Sequence, residues 1–187
     1  MFWSTIGSPQ DGDSTVTSYS LEWDVGSEGQ SWVREIGYLS NSLATTYTVT
    51  ENIVIGKDYQ FRLRAKNIWG WGAYSTISTI KAARVPIQMS APATSVDADS
   101  GDLVISWTQP DPQGSAITSY FIEIAHSDGL AWSEYESTCN GEDPSLLECA
   151  VPMTDLALTY NYAQGALIKV RASAVNEFGA SSVSDEN

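Results

Sequence analysis

Phe61–Ser75 reads FRLRAKNIWGWGAYS, and Val170–Ser184 reads VRASAVNEFGASSVS. At a constant offset Phe61 meets Val170, Arg62 meets Arg171, Ala65 meets Ala174, Asn67 meets Asn176, Gly70 meets Gly179 and Ser75 meets Ser184. Upstream, TVTSYSLEW (Thr15–Trp23) matches AITSYFIEI (Ala116–Ile124), with Tyr19 on Tyr120. Trp3 answers Trp107, and Trp32 answers Trp132. An internal duplication of this kind is a strong constraint on the fold: the chain of 187 residues has to be two small domains of one architecture.

The period inside each repeat is two. Tyr19, Leu21 and Trp23 alternate with Ser20 and Glu22; Phe61, Leu63 and Ala65 alternate with Arg62, Arg64 and Lys66. Strands with that pattern are expected to place the first set on a core face and the second in solvent. Turn clusters separate them: SPQDGDS at Ser8, GSEGQ at Gly26 and PDPQGS at Pro110. No window has a convincing helical period. Many short strands at regular spacing indicate an all-β sandwich, twice over.

The ordered set of motifs resembles the fibronectin type III family. A core tryptophan (Trp3, Trp107) precedes a Pro/Gly turn and a Tyr-x-Leu/Ile strand; then comes Ile53-x-x-Gly56-x-x-Tyr59, followed by Ala65-x-Asn67-x-x-Gly70. The resemblance implies two tandem immunoglobulin-like sandwiches, residues 1–86 and 87–187, joined near Arg84–Pro92 by a short, semi-rigid junction. It implies structural roles for Trp3 and Trp107 on the second strand. Tyr59 becomes a corner residue whose hydroxyl bonds the backbone just upstream. The second repeat has Ile168 where that tyrosine belongs, so its corner has to be held otherwise, with Tyr160 and Tyr162 as candidates. Measured against seven strands, the first repeat is expected to lack its first strand and the second most of its last, as in a window cut from a longer array.

The second repeat also carries an insertion, CNGEDPSLLEC, bounded by Cys139 and Cys149. An intramolecular disulfide is the expected use, and it implies an oxidising compartment. The alternatives are a zinc site and free thiols. Zinc wants four ligands, and the single histidine, His126, stands alone. The loop resembles repeats of surface proteins from ciliated protists.

Catalytic patterns are not visible. His126 precedes Ser127-Asp128-Gly129 and reads as a turn residue rather than a general base. Glu134 and Glu136 share a strand face, which in a sandwich reads as solvated rather than as a glycosidase pair. DADSGD, Asp97–Asp102, has Asp102 and Thr108 where a calcium loop needs Gly and Glu, so it reads as a hairpin turn, with a weak calcium site as the alternative. No metal, no cofactor and no enzymatic activity are expected. Charge narrows the partners: the net value is −14, of which −1 falls on Met1–Gln88 and −13 on Met89–Asn187. Such a balance argues against nucleic acid and anionic membranes. No apolar run approaches a membrane helix, and neither a signal peptide nor an RGD tripeptide is visible.

Trp69 and Trp71 stand out, two indoles in a glycine turn. One is expected to cover the core, and either can stack on Arg62 or Arg64. Trp69 aligns with Phe178 of the second repeat, so Trp71 is the extra aromatic and the first choice for a contact residue. The expected function is a non-enzymatic spacer or adhesion segment of a larger multi-repeat extracellular or cell-surface protein, with neighbouring repeats of the same array as partners. Alternatives are a glycan- or receptor-like binding module using Trp71, Trp69, Arg62 and Arg64, an accessory segment of a secreted carbohydrate-active enzyme, and a cytosolic array.

Overall fold

In unit 1, Met1–Ala82, the alternating segments become β1 (Ser18–Trp23), β2 (Val33–Ile36), β3 (Asp58–Asn67), β4 (Gly70–Trp71) and β5 (Ser78–Lys81). The computed structural model describes residues 1–187. The sheet runs β2-β1-β3-β4, with β5 also pairing β3. Register sets Tyr19 opposite Ala65, Leu21 opposite Leu63 and Trp23 opposite Phe61. Leu21, Trp23, Tyr59 and Phe61 form the buried core, with Trp23 stacked on Tyr59 at 5.3 Å between ring centroids. The facing layer is two short segments: Phe2 bridges Thr46, the Trp3 N–H donates to the Thr45 carbonyl (2.9 Å) and the Tyr47 N–H to that of Met1 (2.9 Å). Trp3 is half-buried and edge-on to Tyr19 at 6.4 Å, although the strand expected around it is reduced to that one bridge.

The alternation is corrected on β1. Ser20 and Glu22, expected in solvent, are 0% and 3% exposed. Strand β1 lies between β2 and β3, and side chains from both fold over its outer face.

Unit 2, Ala83–Asn187, contains β6 (Ala93–Val96), β7 (Leu103–Ser106), β8 (Ser119–Ala125), β9 (Trp132–Glu134), β10 (Glu148–Val151), α1 (Met153–Thr159), β11 (Val170–Asn176) and β12 (Gly179–Ala180). Two antiparallel sheets form, β10-β7-β6 and β12-β11-β8-β9. Their inner faces enclose Ile105, Trp107, Tyr120, Ile122, Ile124, Val151 and Val170. Trp107 meets Tyr120 edge-on at 5.5 Å, the same pairing as Trp3 with Tyr19. Beyond β12 the chain stays on the sheet edge, with Ser184 and Asn187 donating to the carbonyls of Ala172 (2.8 Å) and Val170 (3.2 Å).

The helix α1 is a second correction, since no helix is legible there. It starts after Pro152 and buries only Leu156. With Tyr160, Leu156 joins the core. The two corners differ as their residues do. The Tyr59 hydroxyl accepts from the Val54 N–H (2.7 Å) and donates to the Asn52 carbonyl (3.2 Å). In unit 2 Ile168 packs on the core, and the Tyr162 hydroxyl accepts from the Lys169 N–H (3.4 Å). Cys139 and Cys149 are joined in a disulfide, with their Cα atoms 5.3 Å apart. No helix is long and apolar enough to cross a membrane.

Candidate functional site

The outward face of unit 1 begins with a period-two run on β3, which sets Arg62, Arg64 and Lys66 in a row. Aromatic rings interleave with them. The Arg62 guanidinium lies between Trp32 (4.0 Å to the ring centroid) and Tyr74 (4.1 Å). Arg64 follows, between Tyr74 (4.4 Å) and Trp71 (5.0 Å), and the Lys66 ammonium is 5.6 Å from the same Trp71 ring. Tyr38 stacks on Trp71 at 5.7 Å and carries Arg34 on its face at 3.7 Å. Cation–π contacts of this type contribute about 0.5–1 kcal/mol each at exposed sites.

Glu22 anchors the ladder from below. Its carboxylate accepts from Arg62 Nη2 (2.6 Å) and Nε (2.9 Å), from the Tyr74 hydroxyl (2.7 Å) and from Arg34 Nε (3.3 Å). Burial alone would raise its pKa, but the Tyr74 hydrogen bond and the Arg62 and Arg34 guanidiniums outweigh it and hold the group below the ordinary value. Burial and then the Glu22 carboxylate push the Tyr74 hydroxyl up. The charge of this face is thus locked at neutral pH.

Unit 2 repeats one rung. Arg171 stacks on Trp132 at 4.2 Å and pairs with Glu123 through Nε (2.9 Å) and Nη2 (3.1 Å). Ser173, Val175, Ala180 and Val183 stand where unit 1 has Arg64, Lys66, Trp71 and Tyr74, so the ladder stops there.

The structure reverses the roles of the two indoles. Trp71, expected to be the free one, is half-buried on β4 within the ladder, because its strand position points it across β3 at Lys66. Trp69 is 81% exposed at the turn, where its N–H donates to Asn67 Oδ1 (2.9 Å). Arg62 and Arg64 join the ladder with Trp71; Trp69 does not. Sequence reasoning missed Glu22, Arg34, Tyr38 and Tyr74 as members. A signal existed for part of this: Glu22/Glu123, Trp32/Trp132 and Arg62/Arg171 recur together at matching places.

The remaining polar candidates are structural. The Asp97 N–H donates to the Asp102 carbonyl (2.9 Å), and Asp97 Oδ1 accepts from the N–H groups of Asp99 (3.1 Å) and Ser100 (2.7 Å), closing the hairpin turn. His126 Nε2 lies 3.1 Å from Ser133 Oγ, its ring tilted against Tyr160 at 5.2 Å. Glu134 faces Glu123 across β8 and β9; burial, then the charges of Glu123 and Glu136, raise its pKa.

Layered antiparallel sheets, a core tryptophan edge-on to a tyrosine, and an asparagine-held turn after the long strand define the fibronectin type III class of sandwich. Both units are repeats of that class. Over 130 residues the chain is 30% identical to "Fibronectin type-III domain-containing protein 3a" of Gallus gallus; the match covers 69% of this chain and spans about a tenth (10%) of that protein's length. A solved structure, "Crystal structure of chicken CNTN1 FN1-FN3 domains", covers 95% of this chain and 57% of its own at a TM-score of 0.45 and 15% identity. No family model matches the chain.

Proposed function

We propose that the chain is a non-enzymatic structural or adhesion segment of a larger multi-repeat protein at the cell surface or outside the cell, acting through contacts with other protein domains. The observation that supports this best is the ladder on unit 1. It commits the outward cations, the rings between them and a buried carboxylate to one fixed surface, with Arg34 half exposed at its rim. Such a face is preordered, so little side-chain entropy is lost when a partner covers it. Its cations suit an acidic neighbour, and unit 2 itself has that character. Lateral or head-to-tail association of such repeats is therefore favoured by charge. The Cys139–Cys149 disulfide supports the oxidising location. The second reading, a ligand-binding module, is favoured by one observation, the exposed ring of Trp69.

The test is sedimentation of the 187-residue chain across ionic strength. Association that weakens as salt rises, and that Arg34→Glu abolishes, is the expected result. A monomer insensitive to salt throughout rejects charge-driven contacts between repeats. Intact mass of the natively isolated protein before and after reduction tests the location, with free thiols as the contrary outcome.

A further inference from the structure

The duplication allows each unit to be read against the other at the same place, and one place differs. In unit 2 the segment Arg84–Met89 lies along the end of the sandwich. The Arg84 N–H donates to the Gln113 carbonyl (3.2 Å), and the Ile87 N–H to that of Asp111 (3.2 Å). Asn176 Nδ2 donates to the Arg84 carbonyl (2.8 Å), and Gln88 Nε2 to the Val183 carbonyl (2.7 Å). A Cβ on Gly179 would meet Val85 at 3.4 Å, and Met89 is buried in the core.

The counterparts of Asp111, Pro112, Gln113, Asn176, Gly179 and Val183 in unit 1 are Gln10, Asp11, Gly12, Asn67, Gly70 and Tyr74. The correspondence holds in the hydrogen bonds, because Asn67 Nδ2 donates to the Asp11 carbonyl (2.9 Å) as Asn176 Nδ2 donates to that of Pro112 (3.0 Å). All six line an open groove of about 500 Å³, which Ile6, Val16 and Leu63 also line. Nothing lies within 4 Å of a Cβ built on Gly70. Trp69 at its edge is 81% exposed where Phe178 is 45%. Asp11 Oδ1 is buried without a hydrogen-bond partner, and the segment that fills the matching groove begins with an arginine.

We propose that this groove is a docking site for an extended, proline-containing apolar peptide with a cation at its amino end, of the Arg-Val-Pro-Ile-Gln-Met type. Its first residue donates an N–H to the Gly12 carbonyl and accepts from Asn67 Nδ2, and its cation pairs with Asp11. Its second side chain covers Gly70 beside Trp69. Its fourth N–H donates to Gln10, and its fifth side chain reaches the Tyr74 carbonyl. The proline holds the segment extended before it binds, which lowers the ordering cost. Backbone pairing with alternate side chains in pockets is a general mode of peptide capture.

The experiment is titration of the isotope-labelled 187-residue chain with the blocked peptide Ala-Arg-Val-Pro-Ile-Gln-Met-Ser, read by amide chemical shifts. Saturable shifts confined to the signals of Gln10–Gly12, Asn67–Gly70 and Tyr74 are expected, with severalfold weaker binding when the peptide arginine is alanine and none with a scrambled peptide. No shift at millimolar peptide, or equal shifts with the scrambled one, overturns the proposal. Shifts at the same residues that grow with protein concentration alone put a second copy in the groove and overturn it equally.

Discussion

Glu22 shows what one residue contributes. It is buried on a strand that alternation alone would have turned to water, and it stays charged because four donor groups on Arg62, Tyr74 and Arg34 converge on it. A carboxylate whose folded pKa is depressed contributes stability that is present above its unfolded pKa and lost as pH falls through the folded one. Acid should therefore weaken unit 1 from about pH 4 downward, where unfolded carboxylates take up protons. Glu22→Gln should cost about 2 kcal/mol at neutral pH, since Arg62 and Tyr74 lose their charged acceptor. The same variant should flatten the acid dependence of unit 1. Urea unfolding at several pH values checks both, and an unchanged acid slope would remove Glu22 as its source. The alternation of β1 and β3 was legible in the sequence, but the covering of Glu22 was not. Trp32, Arg34 and Tyr74 come from separate segments, and no local pattern links them.

At the level of elements, most strands could be read because each needs only period two and a turn. The helix α1 could not, since it is seven residues long and shows one buried side chain, too little for a period of 3.6. The disulfide loop was legible from its spacing, and the structure adds what it holds: Cys149 on β10 sits opposite Ile105, and Cys139 is fully buried. Closing a loop of separation 10 should contribute roughly 2–3 kcal/mol to unit 2. The double variant Cys139→Ser, Cys149→Ser should lower the unfolding midpoint of unit 2 and leave unit 1 in place. Tryptophan fluorescence separates the two, because five of the seven indoles, Trp3, Trp23, Trp32, Trp69 and Trp71, lie in unit 1. Equal midpoints with and without the bond would show that the loop is already ordered by packing. Gly141 limits repair of this loop by substitution, since its φ is +63° and a Cβ there would collide with the Tyr120 carbonyl oxygen.

Across the whole molecule, charge divides with the units: Met1–Ala82 carries −2 and Ala83–Asn187 carries −12, Arg84 falling in the second. Unit 2 therefore repels itself, whereas unit 1 pairs most of its charge. Raising salt from about 0.01 to about 1 M shortens the screening length from about 30 to about 3 Å. The unfolding transition of unit 2 should move to higher temperature over that range, and that of unit 1 should stay or fall as its exposed ion pairs are screened. Calorimetry resolves this, and a single transition moving as one would contradict independent units. The duplication, the strands, the turns and the disulfide spacing were determined by the sequence alone, because each depends on neighbours within a few residues or on repetition. The exchange of roles between Trp69 and Trp71, the burial of Glu22 and the open groove beside Gly70 were decided only by tertiary structure. Each depends on which distant segment lies against a strand face, and a one-dimensional period carries no record of what covers it.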